Sequence, residues 1–453
     1  MSNPTPQPAG SYRMALAGGA VLVLVAAWVM WGLLLTPPVE RLRENPALLV
    51  DSKLKGRGEG AVEEEAREKT KQPMGQIGRG GVRALSARIS LEELRAALVG
   101  EGAVPGEVLL TFRSAKDLAD FRTRAGQYGL KILSADARLL AARVGYSDLG
   151  QLAAELNEHP NSYENVAANL VARIPGLPER APQFDGANQG GQEPFDDDLF
   201  ASIGADRDRT GWGRNVKVAV LDSGIGEHET LEGIRRERVK MVAGKEEPHG
   251  HGTSMASLIG GRSYPAEGVA PGVELLDVWV ADARGLSNTA LVAEGIMTAV
   301  DKGAQVINIS LGSFGSSLML QNAVQYAVNR GVVIVAAAGN EQLNQLAFPA
   351  AYPGVISVGA VDAQRKQAYF SNSGKGLTLA APGVGIVSAY PGGQVVVGSG
   401  TSQATAITTG AVATLLGRGI QSKEVVKLLT EHALPTGAPK EQIGAGVLQI
   451  PSK

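Results

Sequence analysis

The chain contains no cysteine, which excludes disulfides, thiolate metal sites and a cysteine nucleophile and leaves the redox compartment open. It also lacks any large charge imbalance: 43 Lys and Arg stand against 45 Asp and Glu, for a net charge of -2. No basic stripe is concentrated anywhere in it, so nucleic acid is disfavoured as a partner. Aromatic residues are scarce at 5% and charged ones make up 19%, whereas 44% of the 453 residues are hydrophobic. That is material for a well-filled core in two or three domains.

One long apolar run stands near the start. Residues 1–13 form a polar tail ending in Arg13, and residues 14–35 carry no charge before Pro37 and Pro38 close the run. The length suffices to span a bilayer. A cleavable signal has a shorter apolar region and a small-residue cleavage site, and the following LLLTPPVERLREN offers none. The expectation is therefore an uncleaved transmembrane anchor over 14–35, with the membrane as a partner. Arg13 on one side against Arg41, Arg43, Lys53 and Lys55 on the other would put the large domain in the cytoplasm by the Lys/Arg rule. Residues 36–80, with VEEEAREKTK and GQIGRGG and few large apolar groups, read as a flexible tether.

Residues 81–174 switch period in an orderly way. Ser90 and Glu93 form a capping-box pattern ahead of Leu91, Leu94 and Leu98, which share a helical face. VLLTF, LKILS, ARLLAARVGY and SYENVAANLVARI read as strands. Helical faces lie between them, with Leu118, Phe121, Ala125 and Tyr128 on one and Leu149, Leu152, Ala153 and Leu156 on the other. The order β-α-β-β-α-β is the ferredoxin-like α+β unit. The stretch from Ile174 to Glu193 is rich in Pro, Gly and Gln, so residues 175–194 are expected to be an exposed linker open to proteolysis.

Residues 195–453 alternate strands with helices. VKVAVLD, VELLDVWV, AQVINISL, GVVIVAAAG and GVISVGAV are continuous apolar runs, separated in part by helical stretches over 288–302 and 317–330. Such runs predict a parallel sheet covered by helices on both faces, with ligands beyond the carboxyl ends of its strands. Four polar residues fall at those ends or at helix starts: Asp222, His251, Asn340 and Ser402. Gly398 and Gly400 are expected to let the chain turn sharply and present Ser402 at the mouth of a helix apolar on every side. A hydroxyl there sits where the helix dipole favours negative charge. A serine nucleophile needs a base, the base needs a carboxylate, and the tetrahedral intermediate needs donors for its oxyanion.

VAVLDSGI around Asp222, HGTSMAS from His251 and GTSQAT around Ser402 resemble the three signatures of the subtilisin-like serine proteases, the subtilases, in that family's order. GVAPG, NISLGS, AAAGNE, YPGVISVGAVD and APGV add to the resemblance, which covers roughly residues 195–450. The resemblance implies an α/β, subtilisin-like parallel sheet with helices on both faces, preceded by a ferredoxin-like α+β propeptide domain; the one transmembrane helix ahead of them is read from the uncharged run alone. It implies Ser402 as nucleophile, His251 as general base and acid, Asp222 as orienting carboxylate, and Asn340 with the Ser402 N–H as oxyanion hole. Ser310, Leu311 and Gly312 would offer backbone to an extended substrate, a mode that reads peptide main chain. Ala337, Ala338 and Gly339 would wall the first specificity pocket, with Ala347 near its base. Protein or peptide substrates and the chain's own propeptide are the implied partners.

No cofactor or metal residue is implied. Only GRSYPAE intervenes between the His251 helix and GVAPG, where calcium-binding relatives insert a loop, so that calcium site is expected to be absent. The chain departs from the family at Ala406, where Pro is usual, and at Ser254, where many relatives have a second His. His159, His228, His249 and His432 are expected at the surface. Because the family is exported, an extracytoplasmic catalytic domain is expected, against the Lys/Arg count. Two alternatives stand beside the endopeptidase: an inactive subtilase-fold scaffold, and a peptide ligase or cyclase using the same acyl-enzyme.

Overall fold

A computed structural model of the chain describes residues 82–83, 88–175, 192–195, 198–243 and 247–452. The expected tail, transmembrane anchor over 14–35 and tether, and most of the expected linker, lie outside the described residues. Among the described residues no helix is long and apolar enough to cross a membrane.

In the smaller domain, β1 (Val82–Arg83) precedes α1 (Leu91–Leu98), which opens on the expected capping box. Ser90 Oγ accepts from the Glu93 N–H at 3.2 Å, and Glu93 Oε2 accepts from the Ser90 N–H at 2.8 Å. Leu94 and Leu98 are buried, but Leu91 is 53% exposed, so the apolar stripe is narrower than the leucine spacing predicts. There follow β2 (Ala103–Phe112), α2 (Ala115–Arg124), β3 (Lys131–Asp136), β4 (Ala141–Gly145), α3 (Leu149–Glu158) and β5 (Tyr163–Arg173). The antiparallel sheet has the order β1-β5-β2-β4-β3; Leu118 and Phe121 of α2 and Leu152, Ala153 and Leu156 of α3 are buried as expected, whereas Leu149 is half-buried and Ala125 and Tyr128 fall in a 3-10 turn after α2. ARLLAARVGY is a strand only over its second half. Asp136 accepts from the Arg138 N–H at 2.7 Å and turns the chain first.

In the larger domain, β6 (Lys217–Asp222) and β7 (Arg236–Lys240) lead to α4 (His251–Gly260), β8 (Glu274–Trp279), β9 (Leu286–Asn288) and α5 (Thr289–Asp301). Next come β10 (Val306–Ile309), α6 (Leu318–Asn329), β11 (Val333–Ala337), β12 (Val355–Val361) and β13 (Leu379–Pro382). A hairpin, β14 (Ile386–Tyr390) and β15 (Gln394–Gly398), then precedes α7 (Thr401–Gly417) and α8 (Ser422–His432). The five apolar runs all lie in one seven-stranded parallel sheet of order β13-β12-β11-β10-β6-β8-β7. Alternate residues of β6 serve the two faces. Val218 and Val220 pack with α4 and α7, and Ala219 and Leu221 pack with α5 and α6. From β6 the chain fills β7 and β8 on one side and then β10 to β13 on the other, so the winding reverses between β6 and β10, where a crevice opens at their carboxyl ends.

Helix α7 is buried from Thr401 to Leu415. Its threonines are tolerated because each hydroxyl has an acceptor: Thr405, Thr408 and Thr414 donate to carbonyls four residues back at 2.7, 2.8 and 2.9 Å. Thr409 donates instead to Asn308 Oδ1 on β10 at 2.9 Å, which fixes the helix against the sheet.

The two domains meet through β5. It pairs antiparallel with β9, Val171 opposite Asn288 and Arg173 opposite Leu286. Leu109, Leu139 and Ala141 of the smaller domain belong to the same apolar cluster as α5 and α6. Asn169 Oδ1 accepts from Thr289 Oγ1 (3.1 Å) and from the Ala290 N–H (3.2 Å), so a residue of one domain caps a helix of the other.

Candidate active site

Asp222 and His251 meet at the crevice edge, and the Ser402 hydroxyl at the start of α7 is bonded to the Ser310 carbonyl and not to the ring. Asp222 ends β6 and is 1% exposed. One of its oxygens accepts from the Ser223 N–H at 2.7 Å and from Ser223 Oγ at 3.1 Å. His251, the first residue of α4, brings Nδ1 within 2.9 Å of both carboxylate oxygens. A carboxylate only accepts, so the proton of the neutral ring belongs on Nδ1, and Nε2 keeps a free lone pair. The start of α4 approaches the Asp222 turn closely: a Cβ on Gly252 would lie 2.5 Å from the Gly224 carbonyl oxygen. Glycine at 252 lets the histidine come within reach of the carboxylate.

Ser402 is the second residue of α7 and 3% exposed. Its hydroxyl donates to the Ser310 carbonyl at 3.3 Å. Asn340 Oδ1 accepts from the Thr401 N–H at 2.9 Å and from Thr401 Oγ1 at 2.8 Å. A main-chain N–H can only donate, which assigns that atom as the oxygen and leaves Nδ2 as a donor beside Gly400. The arrangement supplies a hydroxyl, an oriented imidazole and a fixed amide donor, which together can form and stabilise a tetrahedral oxyanion.

The glycines before Ser402 do not adopt the backbone angles expected of them. Gly400 is extended (φ 169°), a conformation any residue adopts, and Gly398 is not among the positive-φ glycines. A Cβ would instead lie 2.7 Å from Gln403 Oε1 at Gly400, and 2.6 Å from Gln403 Nε2 at Gly398. The end of the Gln403 side chain would have to swing away to admit either Cβ, and a Cβ at Gly400 would also lie 3.0 Å from Asn340 Nδ2. Ala406 lies inside the unbroken helix, and Ser254 Oγ bonds Ser388 Oγ of the hairpin at 2.6 Å.

A cleft of about 560 Å³ is lined by Leu311, Gly312, Ala337, Gly339 and Ala347, together with Pro175 from the end of the smaller domain. Gly312 exchanges main-chain hydrogen bonds with Arg173, at 3.0 and 3.1 Å. Ala338 and Ser310 do not line the cleft. Ala338 is fully buried, and its carbonyl accepts from the Ala347 N–H at 2.9 Å and from Asn372 Nδ2 at 3.0 Å. Ser310 acts through its carbonyl, as above.

Two of the histidines are not at the surface. His228 is 5% exposed because its Nδ1 accepts from the Thr230 N–H at 3.2 Å and closes a turn. His249 is half-buried with Nδ1 sealed from solvent, and burial, then the neighbouring His251, lowers its pKa. His159 is partly exposed and His432 exposed. Thr401, Ser223 and β9 were not singled out from the sequence. The first two stand within the GTS and LDSG motifs, where their hydroxyls could have been weighed as orienting groups. Among the described residues, no group of three or more His, Asp or Glu side chains is arranged to hold a metal ion.

A parallel sheet with this serine, histidine and aspartate at its carboxyl edge defines a subtilisin-type serine endopeptidase. The subtilase family model matches residues 213–446, and the chain belongs to that family. Subtilisin Savinase of Lederbergia lenta is 41% identical over 206 residues, covering 44% of this chain and 76% of that protein. The alkaline protease of Alkalihalobacillus alcalophilus is 41% identical over 206 residues, and the match spans only 54% of its length. Among solved structures, a mutant of the protease domain of PatA is similar with a TM-score of 0.51 and 33% identity over 54% of this chain and 95% of that one. Fervidolysin from Fervidobacterium pennivorans shares the fold, with a TM-score of 0.65 and 24% identity over 78% of this chain and 61% of that one.

Proposed function

We propose that the chain is a membrane-anchored serine endopeptidase that matures by cutting its own linker, with the smaller domain as its propeptide. The observation that carries this reading is the end of β5: it pairs with β9 on one edge and with Gly312 on the other, and runs into the cleft at Pro175. Two-sided main-chain pairing is how an extended peptide is held whatever its side chains.

In this reading Ser402 Oγ leaves the Ser310 carbonyl and attacks the substrate carbonyl while His251 Nε2 takes its proton. Asp222 holds the ring and stabilises the imidazolium that forms. Asn340 Nδ2 and the Ser402 N–H, at the positive end of α7, receive the oxyanion. His251 then protonates the departing amine, and water releases the acyl group by the reverse path. Residues 14–35 hold the enzyme to the membrane with the catalytic domain outside the cytoplasm. Their uncharged length supports the anchor, and the exported character of the family supports the side.

Intact mass spectrometry of the full-length chain beside Ser402→Ala tests the maturation. The reading expects a fragment beginning within the linker from the parent chain alone. A chain that stays whole while a serine-directed phosphonate labels it contradicts self-maturation. For the anchor, the uncut chain should stay with the membrane after alkaline carbonate extraction, and its release into the supernatant contradicts the anchor.

A further inference from the structure

The inference rests on the self-maturation reading and concerns one residue of the docked strand. Arg173 and Gly312 exchange both of their main-chain hydrogen bonds, which makes them a hydrogen-bonded pair of an antiparallel ladder. The next such pair, two residues further along each chain, would be residue 175 with Ser310. An ordinary residue at 175 would donate its N–H to the Ser310 carbonyl. Proline has no N–H to donate.

The Ser310 carbonyl, which has room for two donors, accepts among the described residues only from the Ser402 hydroxyl, at 3.3 Å. That proton is the one that must pass to His251 before Ser402 can attack. The ladder is intact up to the preceding residue, since the Ile174 N–H donates to the Gly285 carbonyl at 2.9 Å. Binding and reactivity of the strand are thus separated. The pairing through Ile174 holds it in the cleft, while the missing donor at 175 leaves the residue to be attacked without the main-chain bond that would fix its carbonyl against Ser402.

We propose that Pro175 is a brake on self-cleavage: it docks the chain's own strand tightly but in a poorly reactive register. When the step occurs, Ser402 Oγ bonds to the Pro175 carbonyl carbon and its proton passes to His251. The C–N bond that follows Pro175 breaks, and the departing amine takes that proton. Water then supplies hydroxide to the acyl carbon and returns a proton to Ser402, leaving a free carboxylate on Pro175. The same geometry disfavours any substrate with proline at the residue whose carbonyl is attacked.

The test follows the full-length parent chain, Pro175→Ala, Pro175→Val and the double variant Pro175→Ala with Ser402→Ala by intact mass, all dilute so that cleavage is intramolecular. Restoring one N–H to a main-chain carbonyl should speed fragment release by between about two- and tenfold. Ala and Val should act alike despite their different size, and the double variant should release nothing. Fragment release at the parent rate or slower overturns the proposal, as does acceleration by Ala but not Val, which would point to side-chain fit. If none of the chains releases a fragment while a serine-directed phosphonate labels Ser402, the self-maturation reading fails and the brake fails with it.

Discussion

Asp222 and Asp277 sit on adjacent strands of the same sheet, β6 and β8, and are nearly equally hidden, at 1% and 0% exposure. Each faces a basic side chain: His251 Nδ1 lies 2.9 Å from Asp222, and Arg238 Nε lies 2.7 Å from Asp277. The difference lies in position and partner. Asp222 is the last residue of its strand, where the crevice opens, and its partner is an imidazole, a ring with one nitrogen to donate and one to accept a proton. Asp277 stands opposite Val220, two residues below the edge, and its partner never gives up a proton. Asp277 also accepts from the Ile225 N–H at 3.1 Å, while its other oxygen has no partner. It steadies the turn that follows Asp222. Burial pushes the Asp277 carboxyl above its ordinary pKa, although Arg238 opposes the shift. A buried carboxylate with a perturbed pKa is therefore not by itself a catalytic one; what its partner can do decides.

The sharpest way to break this comparison is at the reacting groups. Ser402→Ala should lower kcat on a peptide substrate by about 10⁶-fold, and Asp222→Asn by about 10⁴-fold, magnitudes known from serine proteases of this kind. Both variants should keep the parent circular dichroism. Asn340→Ala should cost about 10² to 10³ in kcat with little change in KM, the size of this donor's effect in subtilisins, because it acts on the oxyanion and not on bound substrate. Asp277→Asn should leave kcat/KM within about threefold, since no proton moves through it.

Its effect appears in stability. A carboxyl whose folded pKa is raised contributes fully below the unfolded value and loses that contribution as pH rises through the folded value. In a Ser402→Ala background, the Tm of Asp277→Asn should gain on its parent as pH rises from about 4. A gap that stays constant or narrows with pH would show that the Arg238 pairing outweighs burial.

Much of this arrangement was legible in the sequence because it follows from period and motif. The five continuous apolar runs implied doubly covered strands, Asp222 could be placed at the end of one, and His251 and Ser402 at helix starts. Ser90 and Glu93 announced the start of α1. What was not legible depends on neighbours. β9 has three residues and owes its pairing to β5, a strand more than a hundred positions away. β7, RERVK, is a charged edge strand without an apolar run. His228 is buried because its ring closes a turn, and Leu91 is exposed although its spacing matches Leu94 and Leu98. Gly400 was expected to turn the chain sharply, yet its backbone is extended.

The account stands most directly on Ser402 as the nucleophile. Treating the form that carries residues 195–453 with a serine-directed phosphonate and mapping the adduct by peptide mass spectrometry tests it. One adduct, on the peptide containing Ser402 and lost in both Ser402→Ala and His251→Ala, is the predicted result. No adduct on the parent, or an adduct that persists in Ser402→Ala, would contradict it.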